Sequence, residues 1–385
     1  AWDGFQERAL VLHFPAPASY TGEDLVEFHL HGNPLLVRRF MEHLGTLGIR
    51  LAEPGEFTRR ALLNGKQGLL EAEALRDLVA AGTDTQLRQA QARAGAVPAW
   101  IARTRDRLAP WIARAEAAED YGEEEGIDLD PADLAAVLLE LEAAFHVEQR
   151  RSAAAQWLRD GIRVVLAGRP NSGKSTLFNT LAREDRAIVT EYPGTTRDVL
   201  EVRTEFAGLP LLLFDTAGLR ETEDPVERLG VERVAGALAT ADLILHLVPA
   251  TDPGPDPVLS ARLAAFGERV LVVRTFADQA PGVLGLPTCA PQGDLAALAA
   301  ALRERFLGPL SPEACLGALA TARQRELLDE LLQQTGLLRA LGPGSPPELL
   351  ASGLQGMWGL LARLTGEDRA EAALDQVFSG FCLGK

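Results

Sequence analysis

Arg163-Val-Val-Leu-Ala-Gly168 runs directly into Gly168-Arg-Pro-Asn-Ser-Gly-Lys-Ser175, and this junction sets the architecture of the chain. The first part is a short apolar run, rich in valine and leucine, which reads as a buried strand. The second matches G-x-x-x-x-G-K-[ST], and the residues after it read as a helix, so the motif has the flanks that it needs. The residue types have physical reasons. Glycines let backbone N–H groups curl around phosphates, and the helix N-terminus adds partial positive charge. Lys174 reaches the terminal phosphates, and Ser175 offers a hydroxyl to Mg²⁺. Asn171, Ser172, Gly173 and Thr176 complete the set of loop residues expected to meet a nucleotide.

On the C-terminal side, Val199 to Phe206 and Leu211 to Phe214 read as paired strands turning at Gly208-Leu-Pro210. Leu243 to Val248 and Val270 to Arg274 are further apolar strands, with helical segments between them. Strands alternating with helices imply an α/β domain with a largely parallel sheet, placed at residues 161–308. Leu69 to Ala118 is helical in pattern, with Leu69, Ala72, Leu75, Leu78 and Val79 expected on one face. A further helix starts at Pro131, with Asp130 as its N-cap, and runs to about Leu158. Helical composition returns after Gly308-Pro309, broken at Gly342-Pro-Gly-Ser-Pro-Pro347. The reading is therefore a multidomain chain of α/β plus all-α class. A P-loop domain is inserted into a helical domain made of residues 67–160 and 309–385. A small α+β domain, residues 1–66, comes first, with strands at Ala9 to Phe14 and Asp24 to His31 and a helix over Pro34 to Leu47.

Two more segments extend the phosphate site. Asp215-Thr-Ala-Gly218 ends a strand, where Asp215 can hold the metal through water and the Gly218 N–H can meet the terminal phosphate. Gly194-Thr-Thr-Arg-Asp198 lies in the loop before the second strand, where a threonine hydroxyl can complete the Mg²⁺ shell. On these three motifs alone an ATPase remains possible. Base recognition rests on Thr275-Phe-Ala-Asp278, where GTPases usually carry Asn-Lys-x-Asp. Asp278 can accept two hydrogen bonds from guanine, whereas Thr275 and Phe276 depart from the usual pair. Cys289-Ala290 stands where a Ser-Ala pair normally supports the base. The altered pair predicts weaker selectivity for guanine over other purines. Leu219 occupies the position of the water-orienting glutamine of many small GTPases and cannot hydrogen-bond water, so an acidic residue just downstream is expected to serve instead.

Composition narrows the classes. A net charge of −16 argues against a whole surface that coats nucleic acid, which needs clustered Lys and Arg. The three cysteines, Cys289, Cys315 and Cys382, are too few and too scattered for a disulfide framework or a zinc site. No long apolar run reads as a membrane span and no signal peptide is evident, so the expected location is cytoplasmic, away from any membrane. The chain starts at Ala1 within what reads as folded sequence, which predicts a missing N-terminal segment. His29 and His31 alternate along a strand without a third metal ligand in view. Arg59, Arg60 and Lys66 are either an anion grip or an ordinary exposed basic group.

The motifs together resemble the MnmE (TrmE) family of tRNA-modification GTPases over essentially the whole chain. Ser19-Tyr-Thr-Gly-Glu-Asp24, Pro54-Gly-Glu-Phe-Thr58, Arg60-Ala-Leu-Leu-Asn64 and Glu71-Ala-Glu73 carry the likeness in the first part. Gly194-Thr-Thr-Arg-Asp198, Asp215-Thr-Ala-Gly-Leu-Arg220 and the terminal Phe381-Cys-Leu-Gly-Lys385 carry it in the rest. The resemblance implies a GTP- and GDP-binding homodimer that joins through its N-terminal domain, binds a tetrahydrofolate derivative and pairs its GTPase domains across the nucleotides. K⁺ would be held by Asn171, Gly194 and Thr195, and Mg²⁺ by Ser175 and Thr196. Glu227 would orient the attacking water through a second water, with Arg220 and Cys382 as further catalytic candidates. The implied chemistry is aminomethyl-type modification of the wobble uridine of tRNA, done jointly with the FAD-dependent MnmG (GidA) protein. A nucleotide-controlled switch without chemistry of its own, and a GTPase that binds but does not hydrolyse, are the competing readings.

Overall fold

The computed structural model describes residues 6–95, 97–121, 131–183, 201–214, 236–279, 286–290, 293–341, 345–367 and 377–378. Along the chain it begins with β1 (Leu10–Phe14), β2 (Leu25–His29), α1 (Pro34–Thr46), α2 (Glu56–Leu63) and α3 (Leu69–Ala80). Helices α4 (Asp84–Arg93), α5 (Ala99–Tyr121) and α6 (Pro131–Asp160) come next. Then come β3 (Ile162–Gly168), α7 (Lys174–Arg183), β4 (Glu201–Phe206), β5 (Leu209–Phe214) and β6 (Leu243–Pro249). The last part holds α8 (Pro257–Leu263), β7 (Val270–Thr275), β8 (Leu286–Pro287), α9 (Ala296–Leu307), α10 (Ala322–Ala340) and α11 (Pro347–Thr365). The chain forms two compact units: Ala1–Arg76, Ala94–Val137 and Gln334–Lys385 make one, and Asp77–Arg93 with Leu138–Gln333 make the other.

In the first unit β1 and β2 pair antiparallel, Leu10 opposite His29 and Phe14 opposite Leu25. The turn between them, Ser19 to Asp24, is tied to α2. Tyr20 Oη and Thr58 Oγ1 lie 3.0 Å apart, and Asn64 Nδ2 donates to the Thr21 carbonyl at 2.8 Å. Arg60 bridges Glu23 and Glu56, each at 2.7 Å, and Arg50 grips Glu56 through both terminal nitrogens. Those cations hold the Glu56 carboxyl well below the usual carboxylate range, the Arg50 hydrogen bonds contributing most. Further along, α5 packs on α11. Buried Ile101, Thr104, Leu108, Trp111 and Ala115 recur at three- and four-residue steps on α5, as do Ala351, Leu354, Met357, Leu361 and Leu364 on α11.

The second unit is built on a six-stranded sheet of order β4-β5-β3-β6-β7-β8, with only β4 antiparallel. Val164 and Leu166 of β3 enter one core with Leu177 and Leu181 of α7, while Val165 and Ala167 enter the core on the opposite face. A strand buried on both faces must be apolar there, and from Val164 to Ala167, past the exposed Arg163, the run is unbroken.

Three expectations need correction. The β4–β5 hairpin turns at Ala207 and Gly208, not at Gly208-Leu-Pro210. Phe206 pairs directly with Leu209, and Ala207 (φ 57°) and Gly208 (φ 80°) both take the left-handed backbone that matches strand twist in a two-residue turn. The helical stretch from Leu69 to Ala118 is three helices, broken around Gly82 and again before Pro98. On α3 the expected apolar face holds at Leu69 and Ala72, but Val79 is 42% exposed while Glu73 and Asp77 are buried. Aliphatic periodicity misjudged that helix because its buried side includes paired charge. The proposed cap Asp130 lies outside the described residues.

Gly208→Val should destabilise the second unit by about 1–3 kcal/mol, because a β-branched residue is strained at positive φ. A lowered urea midpoint for this unit, with a smaller loss for Gly208→Asn, is the expected result.

Candidate nucleotide-binding site

The sheet order places β3 between β5 and β6, so the chain leaves β3 toward one side and later returns to the other. The crevice beyond the carboxyl end of such a strand is where open α/β sheets take ligands. Residues 168–174 occupy that position and lead into α7.

The loop is tightly constrained. A Cβ on Gly168 would lie 2.5 Å from Ser172 Oγ and 2.7 Å from the Leu247 carbonyl oxygen, so no side chain fits there. Asn171 (φ 64°) and Gly173 (φ 88°) both turn through the left-handed region. Ser172 is fully buried, its Oγ without a hydrogen-bond partner among the described residues. Lys174 folds over the loop, its Nζ donating to the Gly168 and Arg169 carbonyls at 2.9 and 2.7 Å. Asn171, Ser175 and Thr176 are exposed at the mouth of the loop.

The segment read as base-recognising is brought to the same place. Thr275, at the end of β7, donates from Oγ1 to the Ser172 carbonyl at 2.9 Å, which ties the end of that strand to the phosphate loop. Phe276 comes next in a left-handed conformation (φ 57°), with its ring edge beside Gly173. Asp278 is exposed, and the Cys289 thiol donates to its Oδ1 at 3.0 Å. Cys289 is itself fixed by two backbone hydrogen bonds with Asp294, at 2.9 and 3.1 Å. Ala290 is half-buried, and its carbonyl accepts from Thr180 Oγ1 of α7 at 3.4 Å. The structure brings Thr275, Asp278 and Cys289 together near the loop, and it adds the thiol–carboxylate bond and the short strand β8, which the sequence reading lacked. A two-residue strand leaves no periodicity to read.

Beside the loop, Arg169 pairs with Asp256 at 2.5 Å, and Asp256 also caps α8. His246, 3% exposed in β6 opposite Ala167, has its pKa lowered by burial, with Asp256 pulling weakly the other way.

Gly194, Thr195, Thr196, Asp215, Gly218, Arg220, Glu227 and Cys382 lie outside the described residues. The strand that leads to Asp215 is described: β5 ends at Phe214, parallel to β3 and at the same end of the sheet as the loop. Among the remaining candidates, Arg60 is engaged by Glu23 and Glu56, and Lys66 Nζ donates to the Pro17 carbonyl at 2.8 Å. His29 pairs with Glu27 and His31 with Glu7. No group of three potential metal ligands among His, Cys, Asp and Glu occurs in the described residues.

A glycine-cornered loop between a central parallel strand and a helix, with the end of β7 tied to it through Thr275, defines a P-loop nucleotide-binding α/β domain. The rest of the chain specifies which kind. The model of the TrmE N-terminus matches residues 3–66, and that of the MnmE helical domain matches residues 69–382. The tRNA modification GTPase MnmE of Methylobacterium radiotolerans is 42% identical over 98% of this chain and 86% of its own length. Those of Rhizorhabdus wittichii and Thermus thermophilus are 43% and 40% identical, again over 98% of this chain and over 83% and 85% of theirs. Among solved structures, the G domain of the T. maritima FeoB iron transporter overlaps 38% of this chain and 96% of its own, at 23% identity and a TM-score of 0.30. The chain belongs to the MnmE (TrmE) family of tRNA modification GTPases.

This geometry has two measurable outcomes. Gly168→Ala should weaken GDP binding by about 100-fold, the equivalent of roughly 3 kcal/mol of loop displacement, as read by titration of a fluorescent GDP analogue. His246 supplies a pH dependence. Its folded pKa lies below the unfolded value of about 6.5, so the unfolded chain binds the proton first and stability is lost as pH falls from there toward the folded value. Unfolding midpoints between pH 7.5 and 5 should fall, and His246→Gln should flatten the slope.

Proposed function

We propose that this chain is a K⁺-activated GTPase that modifies the wobble uridine of tRNA, together with a flavin-dependent partner of the MnmG (GidA) kind and a tetrahydrofolate one-carbon donor. The observation that carries the nucleotide part is the hydrogen bond from Thr275 to the Ser172 carbonyl, which joins a guanine-reading segment to a phosphate loop. The family membership carries the tRNA part.

In this reading the loop amides and Lys174 bind the β- and γ-phosphates of GTP, and Asp278 accepts the guanine N–H groups. Lys174 would exchange the Gly168 and Arg169 carbonyls for phosphate oxygens, which are stronger acceptors for an ammonium group. Mg²⁺ would be held by Ser175, exposed at the first turn of α7, together with Thr196, and would neutralise charge on the phosphates. Asn171 suits K⁺: its left-handed backbone lies on the solvent side of the loop, where its side-chain carbonyl is accessible. Gly194 and Thr195 would complete that shell. K⁺ in this place supplies the positive charge that an arginine finger supplies elsewhere. Glu227 would orient the attacking water through a second water, since Leu219 cannot, with Arg220 beside it and Cys382 serving the transfer chemistry.

Pairing of two copies, through the N-terminal domain and across the nucleotides, belongs to the same proposal. So does the division into residues 1–66, 67–160, 161–308 and 309–385. No helix among the described residues is long and apolar enough to cross a membrane, and a cytoplasmic location is part of the reading.

The test is steady-state GTP turnover in KCl against NaCl at equal ionic strength. Turnover should rise about tenfold or more with K⁺, a barrier change of roughly 1.4 kcal/mol. Glu227→Ala should abolish that turnover while GDP affinity stays within twofold (~0.4 kcal/mol). Equal rates in the two salts would overturn the cation mechanism.

A further inference from the structure

At the end of the sheet opposite the phosphate loop, a cavity of about 180 Å³ is lined by the end of α3, α4, the end of α6, Arg203 of β4 and the start of β5. Gly161 lines it and immediately precedes β3, whereas the phosphate loop leaves the other end of that strand. A seven-residue strand, roughly 23 Å long, therefore separates the two places.

Charge is concentrated in this cavity. Arg93, Arg159 and Arg203 line it with Asp77 and Asp160, an excess of one positive charge. Asp77 Oδ2 accepts from Arg93 Nη2 at 2.6 Å and from Arg159 Nε at 2.9 Å. Arg159 Nη1 also meets Asp160 at 2.6 Å, and Arg93 Nε reaches the Gln89 carbonyl at 3.4 Å. Arg93 Nη1 is buried without a hydrogen-bond partner among the described residues, on a side chain only 6% exposed. A charged donor held away from water without an acceptor is strongly unfavourable, so the fold calls for an acceptor there. A single water needs only about 10–15 Å³ of such space, and this cavity is far larger.

We propose that the cavity binds a small tetrahedral oxyanion of the phosphate–sulfate class, with Arg93 Nη1 as its inner donor. Guanidinium groups form short, charge-assisted bonds to such oxyanions. Arginines contributed by three separate elements suit a ligand that presents acceptors in several directions, more than a planar carboxylate that presents them in one. Asp77 keeps Arg93 and Arg159 oriented, and together with Asp160 it leaves the net charge of the site at a single positive unit. This inference is independent of the nucleotide chemistry proposed above.

Calorimetric titration with inorganic phosphate tests it, in the chain carrying Lys174→Ala to silence the phosphate loop, at constant ionic strength. Saturable binding with one site per chain is expected, with sulfate competing and acetate not. Arg93→Met should weaken binding by about tenfold or more, the worth of one charged hydrogen bond. Ala81→Leu should do the same by filling the cavity without altering charge, and it decides the matter if Arg93→Met does not fold by circular dichroism. Absence of saturable heat up to millimolar phosphate, or binding that survives either folded variant, would overturn the proposal.

Discussion

The phosphate loop depends on a missing atom. Gly168 lets the loop backbone pass between the Ser172 hydroxyl and the Leu247 carbonyl at distances that no Cβ could share. That close passage buries Ser172, and the buried Ser172 offers its carbonyl to Thr275. The glycine-cornered loop and the segment that follows β7 are thus one packed object, built across the ends of β3, β6 and β7. The order of strands makes this possible, because β3 sits where neighbouring connections diverge and leaves a crevice at its end.

Charge plays a different part in each unit. In the first, the signature residues around Ser19 and Glu56 hold one another. Tyr20 meets Thr58, Asn64 meets Thr21, and Arg60 spans two glutamates. These are positioning contacts, and they explain why polar residues that look available for ligands are already engaged. In the second unit the Asp77–Arg93–Arg159 group is buried deeply enough that every unmet donor carries weight.

Much of this was legible in the residues. The strand and loop from Arg163 to Ser175 could be read directly, since a doubly buried strand and a G-x-x-x-x-G-K-S loop each have narrow physical requirements. Thr275 and Asp278 stand out by position after an apolar strand, and Cys289 by its likeness to a Ser-Ala pair. What stayed hidden depends on tertiary partners. Ala207 is an ordinary alanine until the hairpin register forces it to positive φ. Asp77 looks like a surface acid on α3 until two arginines from distant segments reach it. The Cys289 thiol reads as a serine substitute, and only its placement by Asp294 shows that it steadies Asp278. For Glu227 the residues offer only one of several acids downstream of Leu219, and Cys382 enters through family resemblance; both lie outside the described residues.

The short helix α4 has a consequence for how the chain is made. It is translated well before the sheet that it joins. Glu205 receives both the backbone N–H and the hydroxyl of Thr85, 120 residues earlier in the chain. Gln89 is bonded to the Cys315 carbonyl across a separation of 226 residues. A ten-residue helix has little stability by itself. Its bonds to Glu205 and Cys315 cannot form until nearly the whole second unit has been made. The nucleotide-binding unit is thus completed late, by a segment that left the ribosome early.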